Sequence, residues 1–355
     1  MSEHSRRNFL GSLGALALLR LERTEPQLVL YNANILTVNS RQPRAQAVAI
    51  ADGRFLAIGD NAEIRAIVAA RTKQINLEGK TVVPGFIDAH SHPASSGRRH
   101  LREVDCDLRS IREIQGAIRQ RAEKTPPGQW IVGFKYDDTK TAEGRPLTRD
   151  DLDAAAPNHP VYINHRGGHI SFVNSLALKI AGVDDQTPDP QGGHFDRDSN
   201  GRLTGCARER ATGPFTQKIP SVYTRDDYRE GVKIISKMMS RAGVTSVHDT
   251  GGSPLDLRAY QDAHEAGELA LRVYCLIGVA HLDRMIAAGV RTGFGDEWVR
   301  VGAVKLVCDG SISERTARLS QPYIGRPKDY GILVATEEEL YEGAHKAHEN
   351  DWQIG

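Results

Sequence analysis

Thr81-Val82-Val83-Pro84-Gly85-Phe86-Ile87-Asp88-Ala89-His90-Ser91-His92-Pro93 is the stretch on which the reading of the fold turns. An apolar run leads into two histidines at i and i+2. In a strand such side chains point to the same face. His90 and His92 are therefore placed to hold one metal ion at the C-terminal end of a strand. An HxH pair by itself carries little weight in a chain with 13 histidines, so its surroundings must supply the specificity.

Upstream, the chain reads as a small antiparallel β unit. Leu28 to Asn39 alternates apolar and polar residues. Val48 and Ile50 run to an Asp52-Gly53 hairpin turn, and Phe55 to Ile58 returns. Asn61 to Ala70 has the length of a short helix, and Gln74 to Leu77 is a further strand. This unit packs and carries no chemistry of its own.

Downstream, strands alternate with helices, the pattern of parallel βαβ units in an α/β protein. Arg241 to Gly251, Ala270 to Val279 and Val299 to Val307 are apolar strands. Tyr228–Ala242, Leu255–Gly267 and Leu282–Gly289 are the helices between them. Lys305 interrupts the last strand, where a free ammonium is costly. Burial lowers an amine's pKa, and a neutral amine reacts with CO2 to give an anionic carbamate. The alternatives are a lysine that reaches outward or pairs with Asp309. His248 at the end of its strand, beside Asp249, is a weaker candidate for the site wall. His345 and His348 share a helix face with Glu342, Lys346 and Glu349, the signature of a solvated surface, and are assigned no metal.

Composition narrows the class. The 355 residues carry 46 Lys+Arg against 45 Asp+Glu, a net charge of +1. That balance gives no field for nucleic acid or an anionic membrane, and no basic stripe with interleaved aromatics appears. Cys106, Cys206, Cys275 and Cys308 are far apart, which excludes a disulfide scaffold. No apolar run reaches the ~20 residues of a membrane helix. The 34 glycines suit a protein with many tight loops. Oligomeric state is not legible.

At the N-terminus, Ser5-Arg6-Arg7-Asn8-Phe9-Leu10 matches a twin-arginine export pattern, and Phe9 to Leu19 has the length of a signal-peptide apolar region. Residues 1–24 are thus expected to direct the chain to the periplasm. No small-x-small cleavage site follows Leu19, so removal of the segment is not predicted.

Pro84-Gly85-Phe86-Ile87-Asp88-Ala89-His90-Ser91-His92 behind a β-rich start resembles the amidohydrolase superfamily. Gly168-His169-Ile170-Ser171-Phe172-Val173-Asn174-Ser175, Gly192-Gly193-His194-Phe195 and Asn200-Gly201-Arg202-Leu203-Thr204-Gly205 resemble amidohydrolase family 3, the branch of N-substituted formamide deformylase-like enzymes. The resemblance implies a (β/α)8, or TIM, barrel with about four to five strands present. An N-terminal partial β-sandwich (25–81) would precede it, and the barrel part (82–355) would hold an insertion (99–225) after strand 1. It implies His90 and His92 as ligands of a divalent metal, zinc by the family's habit, as one or two ions. Asp88 becomes a supporting carboxylate and Lys305 a carbamate bridging two ions. His169, among glycines, is expected either to contact a small-molecule substrate or to be a hydrogen-bonded structural histidine. The implied reaction is hydrolysis of a non-peptide C–N bond in an amide or formamide by metal-activated water.

The resemblance covers nearly all of 27–355 but only the first part of the family pattern. The later strands' histidines and the strand 8 aspartate, the proton shuttle, have no counterpart, so no catalytic acid–base residue is identified. The reading is of a C-terminally truncated fragment with little turnover of its own. The rival readings are a non-catalytic remnant that binds a ligand or partner, and a barrel hydrolase acting on esters.

Overall fold

The computed structural model describes residues 24–220 and 223–355. The twin-arginine segment lies outside the described residues. The chain divides into two units, the first ending at Gly85 and the second running from Phe86 to Gly355.

The first unit holds two small sheets. One has the order Arg54–Gly59, Ala47–Ala51, Leu28–Tyr31, Lys73–Asn76; the other has Arg44–Ala45, Asn34–Leu36, Thr81–Val82. The Asp52-Gly53 hairpin forms as the sequence indicates, with Asp52 at φ 50° and Gly53 at φ 71°. Two features correct the expectation. The sheets are mixed, because Leu28–Tyr31 pairs parallel with Lys73–Asn76, and Asn34–Leu36 parallel with Thr81–Val82. The run from Leu28 to Asn39 is two strands, broken where Asn32 turns to φ 53°, a conformation that asparagine tolerates better than most residues. Val29, Ala47, Ala49 and Ile64 form one apolar cluster of this unit.

The second unit is α/β and has two sheets. The first is a four-stranded parallel sheet: Phe86–Ser91, Val244–Gly252, Arg272–Gly278 and Val299–Lys305, adjacent in chain order. Helices Pro93–Arg102, Arg225–Arg241, Pro254–Glu265 and Leu282–Ala287 occur between its strands. Those starting at Arg225 and Pro254 carry reciprocal caps, Thr224 with Asp227 and Ser253 with Asp256, which satisfy otherwise orphaned first-turn N–H groups. Val247, Val273, Cys275, Val299 and Val301 pack with Tyr260, Ala263 and Leu282 from the helices. Gln353 and Gly355 hydrogen-bond alongside Val299–Lys305, through Val304 N–H to Gln353 O at 2.8 Å and Leu306 N–H to Gly355 O at 2.8 Å. The sheet is open among the described residues: Phe86–Ser91 is an edge, and Phe86 and Ile87 are exposed.

The second sheet lies between the first and second strands of the parallel sheet in sequence. It is six-stranded and mixed, in the order Gly193–Arg197, Leu203–Glu209, Ile170–Val173, Val161–His165, Ile131–Tyr136, Val104–Asp105. Ile111, Ile114, Ile118, Leu152 and Ile163 belong to one of its cores; Leu178, Phe195, Leu203 and Phe215 belong to another. Every residue of Val161–His165 is buried. All four cysteines are free. No helix among the described residues is long and apolar enough to cross a membrane.

Candidate active site

In a parallel sheet all C-terminal ends open on one side. His90, Asp249, Gly278 and Lys305 therefore collect along a single edge. Gly278 is in register with Lys305, and Asp249 with Ser91. Thr250 Oγ1 donates to Ser91 O at 3.2 Å and ties the first two strand ends together.

The rings of His90 and His92 have centroids 5.7 Å apart, at 83° to one another. With Zn–N bonds of about 2.0–2.1 Å, two imidazoles on one ion stand at about this spacing. Asp88 Oδ1 accepts the backbone N–H of His90 at 3.1 Å, so the carboxylate steadies the strand end beneath the ring. Both imidazoles are held below their ordinary pKa. For His90 the cause is desolvation, then the charge of Lys305, with Asp88 opposing. His92 is pushed down to about 4, by desolvation first and then by His90 and Lys305. The His92 ring keeps open surface and is nonetheless crowded by protein. These shifts favour the neutral ring whose lone pair a metal ligand needs.

Lys305 is half-buried. Its Nζ makes no hydrogen bond or ion pair among the described residues. The pairing with Asp309 does not form: Asp309 accepts the backbone N–H of Arg318 at 2.9 Å and the Cys308 thiol at 3.3 Å. The strands of His90 and Lys305 are the two outer strands of the sheet, yet Lys305 acts on both imidazoles.

His169 closes the turn between Val161–His165 and Ile170–Val173. Its charge also depresses both His90 and His92, so it lies within electrostatic reach of the pair. Its Nδ1 is 3.0 Å from Glu209 Oε2, and this hydrogen bond lifts its pKa. The backbone N–H groups of His169 and Ile170 donate to the Glu314 carboxylate at 3.2 and 3.1 Å. Gly167 admits that carboxylate, since a Cβ there would sit 2.1 Å from Glu314 Oε2. His248 lies against the Tyr274 ring, centroids 5.0 Å apart. Asp249 instead accepts from Tyr260 in the helix layer.

Sequence reasoning missed Glu209, Glu314, His165, Asp137 and Asp138. Asp137, Asp138 and His165 present ligand-type atoms within 4.8 Å of one another. That cluster is held by cations of its own: Arg166 is 3.0 Å from Asp137, and Arg315 is 3.6 Å from Asp138. His165 Nδ1 lies 2.9 Å from Glu314, while Nε2 is 3.3 Å from Asp138 but off the line of a hydrogen bond. Burial opposes its charge, and the two carboxylates outweigh burial and raise its pKa to about 9. As it stands, the cluster is knit by ion pairs between these carboxylates and Arg166, Arg315 and His165.

The model of the amidohydrolase family matches residues 73–355. The chain belongs to this family. N-substituted formamide deformylase of Arthrobacter pascens is 33% identical over 333 residues, covering 90% of the amidohydrolase chain described above and 61% of the Arthrobacter protein. Imidazolonepropionase of Halobacterium salinarum is 46% identical over 293 residues, covering 70% and 68%. The crystal structure of a metal-dependent hydrolase from Pyrococcus horikoshii superposes with a TM-score of 0.66 at 28% identity, covering 92% of the amidohydrolase chain and 64% of that chain. The amidohydrolase chain thus spans about three-fifths of the length of the deformylase.

Proposed function

We propose that this amidohydrolase carries the metal-binding part of a hydrolase that cleaves a non-peptide C–N bond in a small amide or formamide. The observation that supports the reading is the pair of His90 and His92 rings, 5.7 Å apart, with the unpartnered Lys305 of the far strand within electrostatic reach of both. Two imidazoles and an amine suit a borderline divalent cation, zinc by preference. Such an ion supplies Lewis-acid activation of water and of the scissile carbonyl. His90 and His92 offer lone pairs. Lys305, once its ammonium has lost one proton, would add CO2 and lose a second proton to offer carbamate oxygens. Asp88 fixes the backbone of His90, and His169 meets the substrate at the mouth.

Parallel strands adjacent in chain order support an incomplete (β/α)8 barrel, since a doubly wound sheet would reverse its order. Reach between the two outer strands supports its curl. The two mixed sheets before Phe86 are the N-terminal part of a small β-sandwich, and the six-stranded sheet is the insertion after strand 1. Ser5 to Leu19 supports delivery to the periplasm by the twin-arginine route.

The name of the Arthrobacter relative supports N-substituted formamides as the substrate class. The test is amine release from such a formamide by the full gene product, against release of alcohol from a matched formate ester. Zinc-dependent amine release is the expected result; ester cleavage alone would contradict the C–N assignment.

A further inference from the structure

The end of the Leu203–Glu209 strand carries a costly arrangement. Glu209 adopts φ 50°, ψ −125°, a backbone region that L residues avoid. Its side chain is only 6% exposed. One oxygen, Oε2, takes the Nδ1 edge of His169 at 3.0 Å. The other, Oε1, is buried without a hydrogen-bond partner and abuts Gly310, where a Cβ would approach it to 2.3 Å. Strain and an orphaned carboxylate oxygen are both unfavourable, and such features persist where the surroundings over-determine them.

The same residue grips His169 twice, because the Glu209 N–H also donates to His169 O at 2.8 Å. Glu314 fixes the backbone of the turn from the other side. Backbone and ring of His169 are thus both constrained, with one ring edge consumed and Nε2 left over.

Resting on the hydrolase reading above, we propose that Glu209 is a positioning residue that holds His169 with Nδ1–H on its carboxylate and presents Nε2 to the substrate. A carboxylate partner stabilises the imidazolium, whose Nε2–H is a donor. In the charged ring the substrate group that meets Nε2 is an acceptor oxygen, such as an amide carbonyl or a carboxylate, and in the neutral Nδ1–H ring it is a donor.

The test uses the full chain labelled with 15N-histidine, with the His169 ring signals assigned by His169→Gln. Zinc content and KM for an N-substituted formamide are followed in parallel. Glu209→Ala should lose the Nδ1–H signature and raise KM on the order of tenfold or more, with zinc content unchanged. Glu209→Gln keeps an acceptor but not the charge. It should restore the Nδ1–H tautomer while His169 titrates at lower pH than in the wild type. Unchanged His169 signals in Glu209→Ala, or wild-type titration in Glu209→Gln, would overturn the proposal. Absence of metal from the wild type would sink the hydrolase reading instead, and the ring signals would still decide the role of Glu209.

Discussion

Tyr260 Oη lies 2.5 Å from Asp249 Oδ2 and accepts the backbone N–H of Ala94 at 2.9 Å. One fully buried hydroxyl therefore joins the second strand to the helix that begins directly after His92. Tyr260→Phe would remove the hydroxyl that both groups share and leave the Asp249 carboxylate with only the Ala94 N–H. It should cost about 1–3 kcal/mol in urea denaturation. It should also weaken metal retention by loosening the His92 end; an unchanged midpoint would contradict this role.

Asp249 is 3% exposed, and burial lifts its pKa from 3.8 to about 6, against the pull of Tyr260. A raised folded-state pKa means that its contribution is favourable below about pH 3.8 and is lost as pH rises through about 6. At neutral pH the buried charge costs up to about 3 kcal/mol. Asp249→Asn should melt above the wild type at pH 8, with the difference shrinking toward pH 4. A difference independent of pH would refute the assignment.

His165 behaves with the same sign for the opposite reason. It is charged in the fold because Asp138 and Glu314 outweigh its burial, with a pKa of about 9 against 6.5. Its stabilisation, roughly 3 kcal/mol at most, is complete below about pH 6.5 and fades as pH rises through about 9. Thermal melts from pH 6.5 to 10 should fall more steeply for the wild type than for Glu314→Gln. Parallel curves would remove His165 as the titrating group.

Gly97 and Gly231 meet where helix Pro93–Arg102 packs on Arg225–Arg241. A Cβ at Gly97 would fall 2.1 Å from Gly231 O, and one at Gly231 would fall 2.7 Å from Arg98 N. These are backbone contacts with no side chain to move aside. Gly97→Ala should destabilise by about 1–3 kcal/mol, although alanine is the better helix former by about 1 kcal/mol. A gain in chemical stability would show that the two helices separate easily.

The parallel sheet was legible because its strands are short apolar runs bounded by glycines and separated by periodic helices. The His90–His92 pair was picked out by a period of two, although His92 falls just past the end of Phe86–Ser91 and caps the helix that follows. Lys305 was singled out as a charge in an apolar strand, and its electrostatic reach to that pair is visible only in three dimensions. Glu209 and Glu314 were not legible. Glu314 lies 145 residues from His169 in the chain, and nothing local marks a glutamate that folds back on a distant turn. The parallel pairings of the first unit escaped for a related reason: alternation reveals a strand and its faces, while the direction of its neighbour depends on contacts some 45 residues away.

Metal content of the purified chain, measured by elemental analysis before and after the double substitution His90→Ala/His92→Ala, tests the central claim most directly. The account predicts a divalent metal, at one or two equivalents, that disappears in the double variant while its circular dichroism spectrum is kept. A wild-type chain that takes up no metal from a zinc-containing buffer, or a double variant that holds as much as the wild type, would contradict it.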